Sequence, residues 1–390
     1  MNRDAVIVSA VRTAIGKQGG ALASVPAHVF GAEVMKEALK RANVEPRMVD
    51  DVIMGNVLSG GGNIARLTAL ETGLSIHLPG LTVDRQCGSG INAVNLAAQA
   101  IRAGEGDVYI AGGVESMSRA PYLMDRPEKP YSAKPPQFRK SRLSPKEIGD
   151  PPMGITAENL AEKYEVSREE QDAFALQSQK NMARAVEEGR FNEQIVPIHI
   201  PVRKGDDIEF KLDEHPRPQI TKEGLAKLSP AFLEGGSVTA GNSSGLNDAA
   251  SALVIMSREK AVELGIKPLA TIRAQAVAGV DPNYMGIGPV PAIRKVMEKS
   301  GLSLNEMDII EINEAFAAQV IACNRELDMN LAKVNVNGGA IAHGHPLGAT
   351  GAILITKAVH ELKRSAGRFA LITACIGGGQ GIATIIEREA

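Results

Sequence analysis

Tryptophan is absent from the 390 residues, and aromatic side chains make up only 3% of them. That scarcity argues against nucleic-acid modules that stack bases on aromatic platforms. An excess of one charge is lacking as well. Forty-three Lys and Arg meet 45 Asp and Glu, so no global field draws the chain to nucleic acid or a membrane surface. No apolar run reaches the ~20 residues that span a bilayer, and no membrane partner is expected. Cysteine is scarce too, at Cys87, Cys323 and Cys375. An odd, low count without paired spacing fits a reducing compartment better than a disulfide framework. No CxxC pair or His/Cys cluster offers a metal site. Met1-Asn2-Arg3-Asp4 enters a strand-like run without a signal-peptide pattern, and Glu387-Arg388-Glu389-Ala390 is not the peroxisomal Ser-Lys-Leu address. A cytoplasmic location is the expectation.

What is present is glycine. Forty of them exceed the usual ~7% and imply many tight turns and close backbone approaches. The length is too great for one ordinary core, so two or three domains are expected. Strand-like runs over 5–8, 52–54 and 108–111 alternate with helical spacing over 29–42, 64–72 and 91–101. That alternation argues for an α/β layered domain. From 119 to 152 the chain turns Pro-rich and loses periodicity, which reads as an excursion. Helices are predicted over 156–164 and 168–188, the second capped by Ser167 with Phe174, Ala175, Met182 and Val186 on its apolar side. A β excursion follows over 196–210. The polar turn Thr239-Ala240-Gly241-Asn242-Ser243-Ser244-Gly245 is predicted to open a helix over 247–252, with a strand over 252–256.

The last third repeats the first. Residues 44–53 resemble 302–311, and 106–110 resemble 367–371, with a common shift of roughly 260 residues. Two copies of one α/β unit follow from that order of elements.

The chemistry gathers at turns. Gln86-Cys87-Gly88-Ser89-Gly90 lies between a strand and a helix, where Gly88 and Gly90 let the backbone turn. A thiol at a helix start favours thiolate, although free Cys is also among the most buried residue types. The second half carries Asn313-Glu314-Ala315-Phe316, Gly344-His345-Pro346-Leu347-Gly348 and Cys375-Ile376-Gly377-Gly378-Gly379 at equivalent turns. Two thiols and one imidazole at glycine-rich turns suit thioester chemistry, with backbone N–H groups for an oxyanion. The blander alternatives are a His345 that only pins its loop and a Cys375 that only fills the core. Cys323 sits in a helical apolar pattern and reads as core. His343 lies outside the Gly-His-Pro unit and reads as a neighbour.

Together with Gly112-Gly113-Val114-Glu115-Ser116-Met117-Ser118, these motifs resemble the thiolase signatures, in thiolase order and across essentially the whole chain. The resemblance implies an α/β fold with a five-layer αβαβα core built from two related halves, with an inserted loop domain. The first half would span 1–118, completed by about 247–268, the second 269–390, and the insert of 119–246 would cover coenzyme A. It implies that Cys87 is acylated, that His345 activates it, and that a water on Asn313 joins His345 at one thioester oxygen. Cys375 would move the proton at the α-carbon, and the N–H groups of Cys87 and Gly377 would form a second oxyanion site. Coenzyme A contacts would fall on Met153, Arg217, Phe232, Ala240, Ser244, Leu246, Met285, Ala315 and Phe316. No cofactor would be tightly bound, since coenzyme A and acyl-CoA are substrates. A homo-oligomer is implied, dimer or tetramer, with the Pro-rich stretch near 121–136 as a contact. One departure concerns chain length. Many acetoacetyl-specific members carry His before the Met of this stretch, whereas Pro152 precedes Met153 here, as in many broad-range 3-ketoacyl members. Two rivals remain on sequence: a β-ketoacyl synthase-type condensing enzyme, disfavoured by Cys375, and a silent acyl-CoA-binding relative, disfavoured by the complete set of four side chains.

Overall fold

The computed structural model describes residues 3–59, 61–127, 129, 131, 135–202 and 205–389. Gly60 of the glycine loop, Pro130 of the Pro-rich excursion, and Met1, Asn2 and Ala390 of the two terminal stretches lie outside the described residues.

The first half runs β1 (Ala5–Thr13), β2 (Gly16–Lys17), α1 (Ala27–Ala42), β3 (Asp51–Gly55), α2 (Ile64–Glu71), β4 (Leu81–Val83), α3 (Ser89–Ala103) and β5 (Val108–Ser116). The excursion carries β6 (Leu123–Met124), β7 (Phe138–Arg139), α4 (Met153–Lys163), α5 (Arg168–Glu187), β8 (Ile195–Val196), β9 (Ile198–Ile200), β10 (Ile208–Phe210) and α6 (Lys222–Ala226). The chain returns through β11 (Asn247–Ser257) and α7 (Arg258–Glu263). The second half runs β12 (Ala270–Gly279), α8 (Pro289–Ser300), β13 (Ile309–Ile312), α9 (Ala317–Leu327), α10 (Ala340–His343), α11 (Leu347–Ser365), β14 (Phe369–Ile376) and β15 (Gln380–Arg388).

The main sheet has the order β13-β14-β15-β12-β1-β11-β5-β3-β4. Its halves meet at β1 and β12, which share only the pairs Val6↔Thr271 and Ile7↔Ala270. Parallel pairs β3–β4, β3–β5 and β13–β14 lie toward the outer edges, and antiparallel pairs fill the centre. Alternation along each strand sends side chains to two cores. Val6, Val52, Ile110 and Val254 pack under α1 and α2. Ile7, Ile53, Leu253 and Ile372 face α3 and α11, which are buried between the two halves. Ile310, Leu371 and Ile385 face α8 and α9. Counted through, these cores separate five alternating helical and sheet layers, the architecture that the motif resemblance implies.

Local signals explain most element ends. α1 stops at Asn43 in the left-handed region (φ 52°), with Lys40 and Arg41 in its last turn. Ser167 and Glu170 cap α5 reciprocally. Two expectations fail. Val186 of α5 is exposed, not part of its apolar side. The helix predicted over 247–252 is instead the start of β11, a single strand from Asn247 to Ser257. Its partners β1 and β5 flank it on both edges, and a doubly paired central position outweighs the weak strand propensity of Asn247-Asp248-Ala249-Ala250-Ser251-Ala252.

The excursion is anchored to both halves. Arg12 meets Asp213 at 2.8 Å with both side chains buried, and β8 pairs with β1. On the other side, the Ser178 hydroxyl donates to the Glu314 carboxylate at 2.7 Å.

Candidate active site

The Cys87 turn is built by its neighbours. Gln86 adopts a positive φ of 44°, held by its own N–H and the Asp84 carboxylate at 2.8 Å. The Ser89 hydroxyl donates to the Gln86 carbonyl at 2.6 Å and accepts from the Arg85 N–H at 2.8 Å. The glycines do different work from that expected. Gly88 has an ordinary φ of −87°, and the sharp residue is Gln86. Gly88 is required because a Cβ there would lie 2.6 Å from the Ile376 side chain. At Gly90 a Cβ would lie 2.6 Å from the Ala352 nitrogen and 3.0 Å from the Gly348 carbonyl. Bare backbones therefore let the starts of α3 and α11 touch, which brings the cysteine turn of one half against the histidine turn of the other. Two helix N-termini converge there, and their positive ends favour developing negative charge.

His345 is buried and held at every polar atom. Its backbone N–H donates to Asn247 Oδ1 at 2.9 Å. Nδ1 meets the Thr350 hydroxyl at 2.7 Å, and Nε2 lies 3.4 Å from the Asn313 Nδ2. With the Asn313 amide assigned nitrogen toward the ring, Nε2 takes the lone pair and Nδ1 the proton. Burial lowers the imidazole pKa to about 4, which leaves it neutral near pH 7. Asn313 Oδ1 is buried with no protein partner among the described residues. Glu115 accepts N–H groups of Val57, Leu58 and Ser59 at 3.0, 3.1 and 2.9 Å, and of Gly348 at 3.1 Å. It thus ties the loop after β3 to the first turn of α11.

Cys87 does not rest as the thiolate expected from its place at a helix start. The residue as a whole is half-buried, but the enclosure of its sulfur raises the thiol pKa to about 11, against the opposing pull of the Gly377 N–H and its own N–H. Desolvation costs the anion more than two amide dipoles return. Cys375, fully buried at the end of β14, is pushed well above the usual thiol range, first by burial and then by the nearby Cys87. Both thiols are therefore neutral, and so is the His345 imidazole.

The remaining expected residues fall into three groups. Met153, Met285, Ala315, Phe316 and Cys375 share one apolar cluster with Ala157 and Val238. Phe232 meets Phe316 edge-on at 6.0 Å between ring centroids. Ser244 and Leu246 join through backbone, the first donating to the Ala315 carbonyl at 3.0 Å and the second bridging to His345. Arg217 and Ala240 are exposed. Arg217 lines a cavity of ≈ 570 Å³ whose wall includes Leu228, and Leu228 packs in turn against Gly241 beside Ala240. His343 faces away from this group. Its Nε2 lies 3.4 Å from the Lys357 ammonium, which is paired with Glu311 at 2.8 Å in the core. Cys323 is buried in the second-half core. Sequence reasoning assigned no part to Thr350, Glu115 or Asn247. Thr350 lies five residues further along the same turn, whereas the side chains of Glu115 and Asn247 reach the histidine loop only through tertiary contacts.

A family profile described as "Thiolase, N-terminal domain" matches residues 5–259, and one described as "Thiolase, C-terminal domain" matches 266–388. The chain is 49% identical to the acetyl-CoA acetyltransferase of Pseudomonas aeruginosa, covering 99% of this chain and 100% of the relative. A crystal structure of the Bacillus anthracis acetyl-CoA acetyltransferase superposes with a TM-score of 0.95 at 47% identity, over 100% of both chains. One of the human mitochondrial 3-ketoacyl-CoA thiolase in complex with CoA gives 0.93 at 43% identity, over 100% of this chain and 98% of that one.

Proposed function

The chain belongs to the thiolase family, and from that premise we propose how its residues divide the reaction. The enzyme cleaves acetoacetyl-CoA with coenzyme A to give two acetyl-CoA, or runs the reverse Claisen condensation. In cleavage, Cys87 Sγ attacks the 3-keto carbon while His345 Nε2 takes the thiol proton. The tetrahedral oxyanion is met by the N–H groups of Cys87 and Gly377. The C2–C3 bond then breaks, its electron pair passing into the acetyl-CoA enolate, whose oxygen is met by His345 and a water on Asn313. Cys375 delivers its proton to C2. Coenzyme A attacks the acetyl-Cys87 thioester and its thiol proton restores Cys375. The imidazolium proton returns to the departing Cys87.

The observation that carries this reading is that the helix starts bearing Cys87 and His345 touch at Gly90 and Gly348, with His345 neutral and the Cys87 thiol protonated. A thiol with a pKa of about 11 needs a base. A histidine with a pKa of about 4 stays unprotonated at neutral pH and is available as one. Coenzyme A runs past Met153, Phe232, Met285, Ala315 and Phe316, with Ser244, Leu246 and Ala240 along its tether and Arg217 at its nucleotide end. The insert of 119–246 serves as its cover, between halves of 1–118 with 247–268 and of 269–390. The enzyme works in the cytoplasm, a reading supported by three free cysteines. It works as a homo-oligomer, with a tetramer favoured. The β6–β7 hairpin supports a contact there, since Tyr122, Met124 and Phe138 stand exposed on it.

Incubation with acetyl-CoA followed by peptide mass analysis tests the core of this reading. The acetyl group is expected on the Cys87 peptide, and label on Cys323 would sink it. Loss of the acetoacetyl-CoA enolate absorbance, repeated with longer 3-ketoacyl-CoA substrates, reads the acyl range that Pro152 leaves open.

A further inference from the structure

Asn247 is fully buried at the start of β11 and uses both ends of its amide. Its Oδ1 accepts the His345 N–H at 2.9 Å, and its Nδ2 donates to the Gly16 carbonyl at 2.9 Å. Gly16 belongs to β2, which pairs with Asn247 and Asp248 on the edge of the first half. One amide thus links a first-half hairpin to the histidine loop of the second half. The approach is close. Gly344, just before His345, has a φ of +102°, and a Cβ there would overlap the Asn247 amide.

His345 needs such a link because α11 begins only at Leu347. The histidine precedes the helix, outside its hydrogen-bond ladder. Pro346 follows it and offers no N–H of its own. Thr350 holds the ring through Nδ1, and the Asn247 side chain, beside the backbone bridge between Leu246 and His345, holds the His345 backbone across the two halves. Among the described residues no acidic side chain hydrogen-bonds the ring, and its bonds there are to neutral groups.

The geometry points to Asn247 as a positioning residue that sets the placement of the His345 base against Cys87. It acts through His345 and does not touch substrate. This inference rests on the reading of His345 as the base that activates Cys87.

The test compares Asn247→Ala, Asn247→Asp and His345→Ala in the full-length enzyme. The readouts are the rate of Cys87 alkylation by iodoacetamide at pH 7, and kcat and KM for acetoacetyl-CoA cleavage. A displacement of about 1 Å in catalytic geometry is worth on the order of a hundredfold. Asn247→Ala is therefore expected to lower both alkylation and kcat by at least about tenfold, with KM changed less than about threefold. Asn247→Asp keeps an oxygen facing the His345 N–H in either protonation state and is expected to retain alkylation within about threefold. A purely structural part would give no such rescue and no split between kcat and KM. If Asn247→Ala does not fold, Asn247→Asp decides alone: a tenfold loss there refutes the inference. Alkylation unchanged in Asn247→Ala while His345→Ala slows it also refutes the inference. Alkylation unchanged in His345→Ala overturns instead the underlying reading of the base.

Discussion

The two halves repeat a scaffold down to single carboxylates, yet their turns carry different chemistry. Asp50, just before β3, accepts the Val108 N–H at 2.9 Å and the Asp107 N–H at 2.6 Å. Asp308, just before β13, accepts the Phe369 N–H at 3.0 Å and the Arg368 N–H at 2.6 Å. Each ties the entry of one parallel strand to the entry of its neighbour. The turns that follow diverge. The first half supplies one thiol at a helix start, and the second supplies Asn313, His345 and Cys375. The lesson is that the repeat sets where turns converge, and the individual turn residues set what they do there. Even the two active-site thiols differ. Cys87 has two amide N–H groups as counterweights to burial and to the Asp84 and Glu115 carboxylates, whereas Cys375 has only its own N–H against burial, Cys87 and Cys323.

The largest test breaks the division of labour within the second half. His345→Ala should slow both half-reactions by at least roughly a hundredfold, since a general base is worth about 100- to 10,000-fold. Cys375→Ala should slow acetoacetyl-CoA cleavage by a similar factor of roughly a hundred or more, yet still acetylate Cys87. Acylation needs no proton transfer at carbon. Both rates are measured on one preparation, with circular dichroism for the fold. Cleavage near the parental rate would make Cys375 structural.

A pH series sharpens the contrast between thiol and imidazole. Protonation of His345 removes the base, so Cys87 alkylation should fall as pH drops toward about 4. It should rise again as pH climbs toward about 11, where the thiolate forms without help. In His345→Ala the acid limb should vanish and the alkaline rise remain. An acid limb that survives in the variant would assign it to another group.

His343 gives a smaller effect. His343→Gln should leave alkylation within about threefold of the parent, because the side chain bonds Lys357 and the Gly344 carbonyl, not the thiol. It should cost about 1–3 kcal/mol of stability by leaving buried partners unsatisfied. The smallest effect compares the repeats directly. Asp50→Ala and Asp308→Ala should each cost about 1–2 kcal/mol in denaturant unfolding and leave kcat unchanged. A large loss at only one of them would show that the repeat is not mechanically equivalent.

Much of this was legible in sequence because it is local. The α5 cap is a four-residue pattern, and α1 and α3 declare themselves by apolar spacing. The turns bearing Cys87, His345 and Cys375 stand out by their glycines. β11 was not legible as one strand, because its first half is small and polar and its conformation comes from β1 and β5 on either side.

The sequence by itself determined the class of fold, the internal repeat and which side chains could take part in thioester chemistry. Those depend on residue types and short spacings, which a linear text contains. Only the tertiary structure decided the protonation of Cys87, which depends on how much water burial removes from the sulfur. It also decided why Gly88 and Gly90 are glycine, since the atoms that exclude a Cβ belong to Ile376, Gly348 and Ala352 of the other half. And it decided the hold of Asn247 on His345, a single hydrogen bond between residues 98 positions apart.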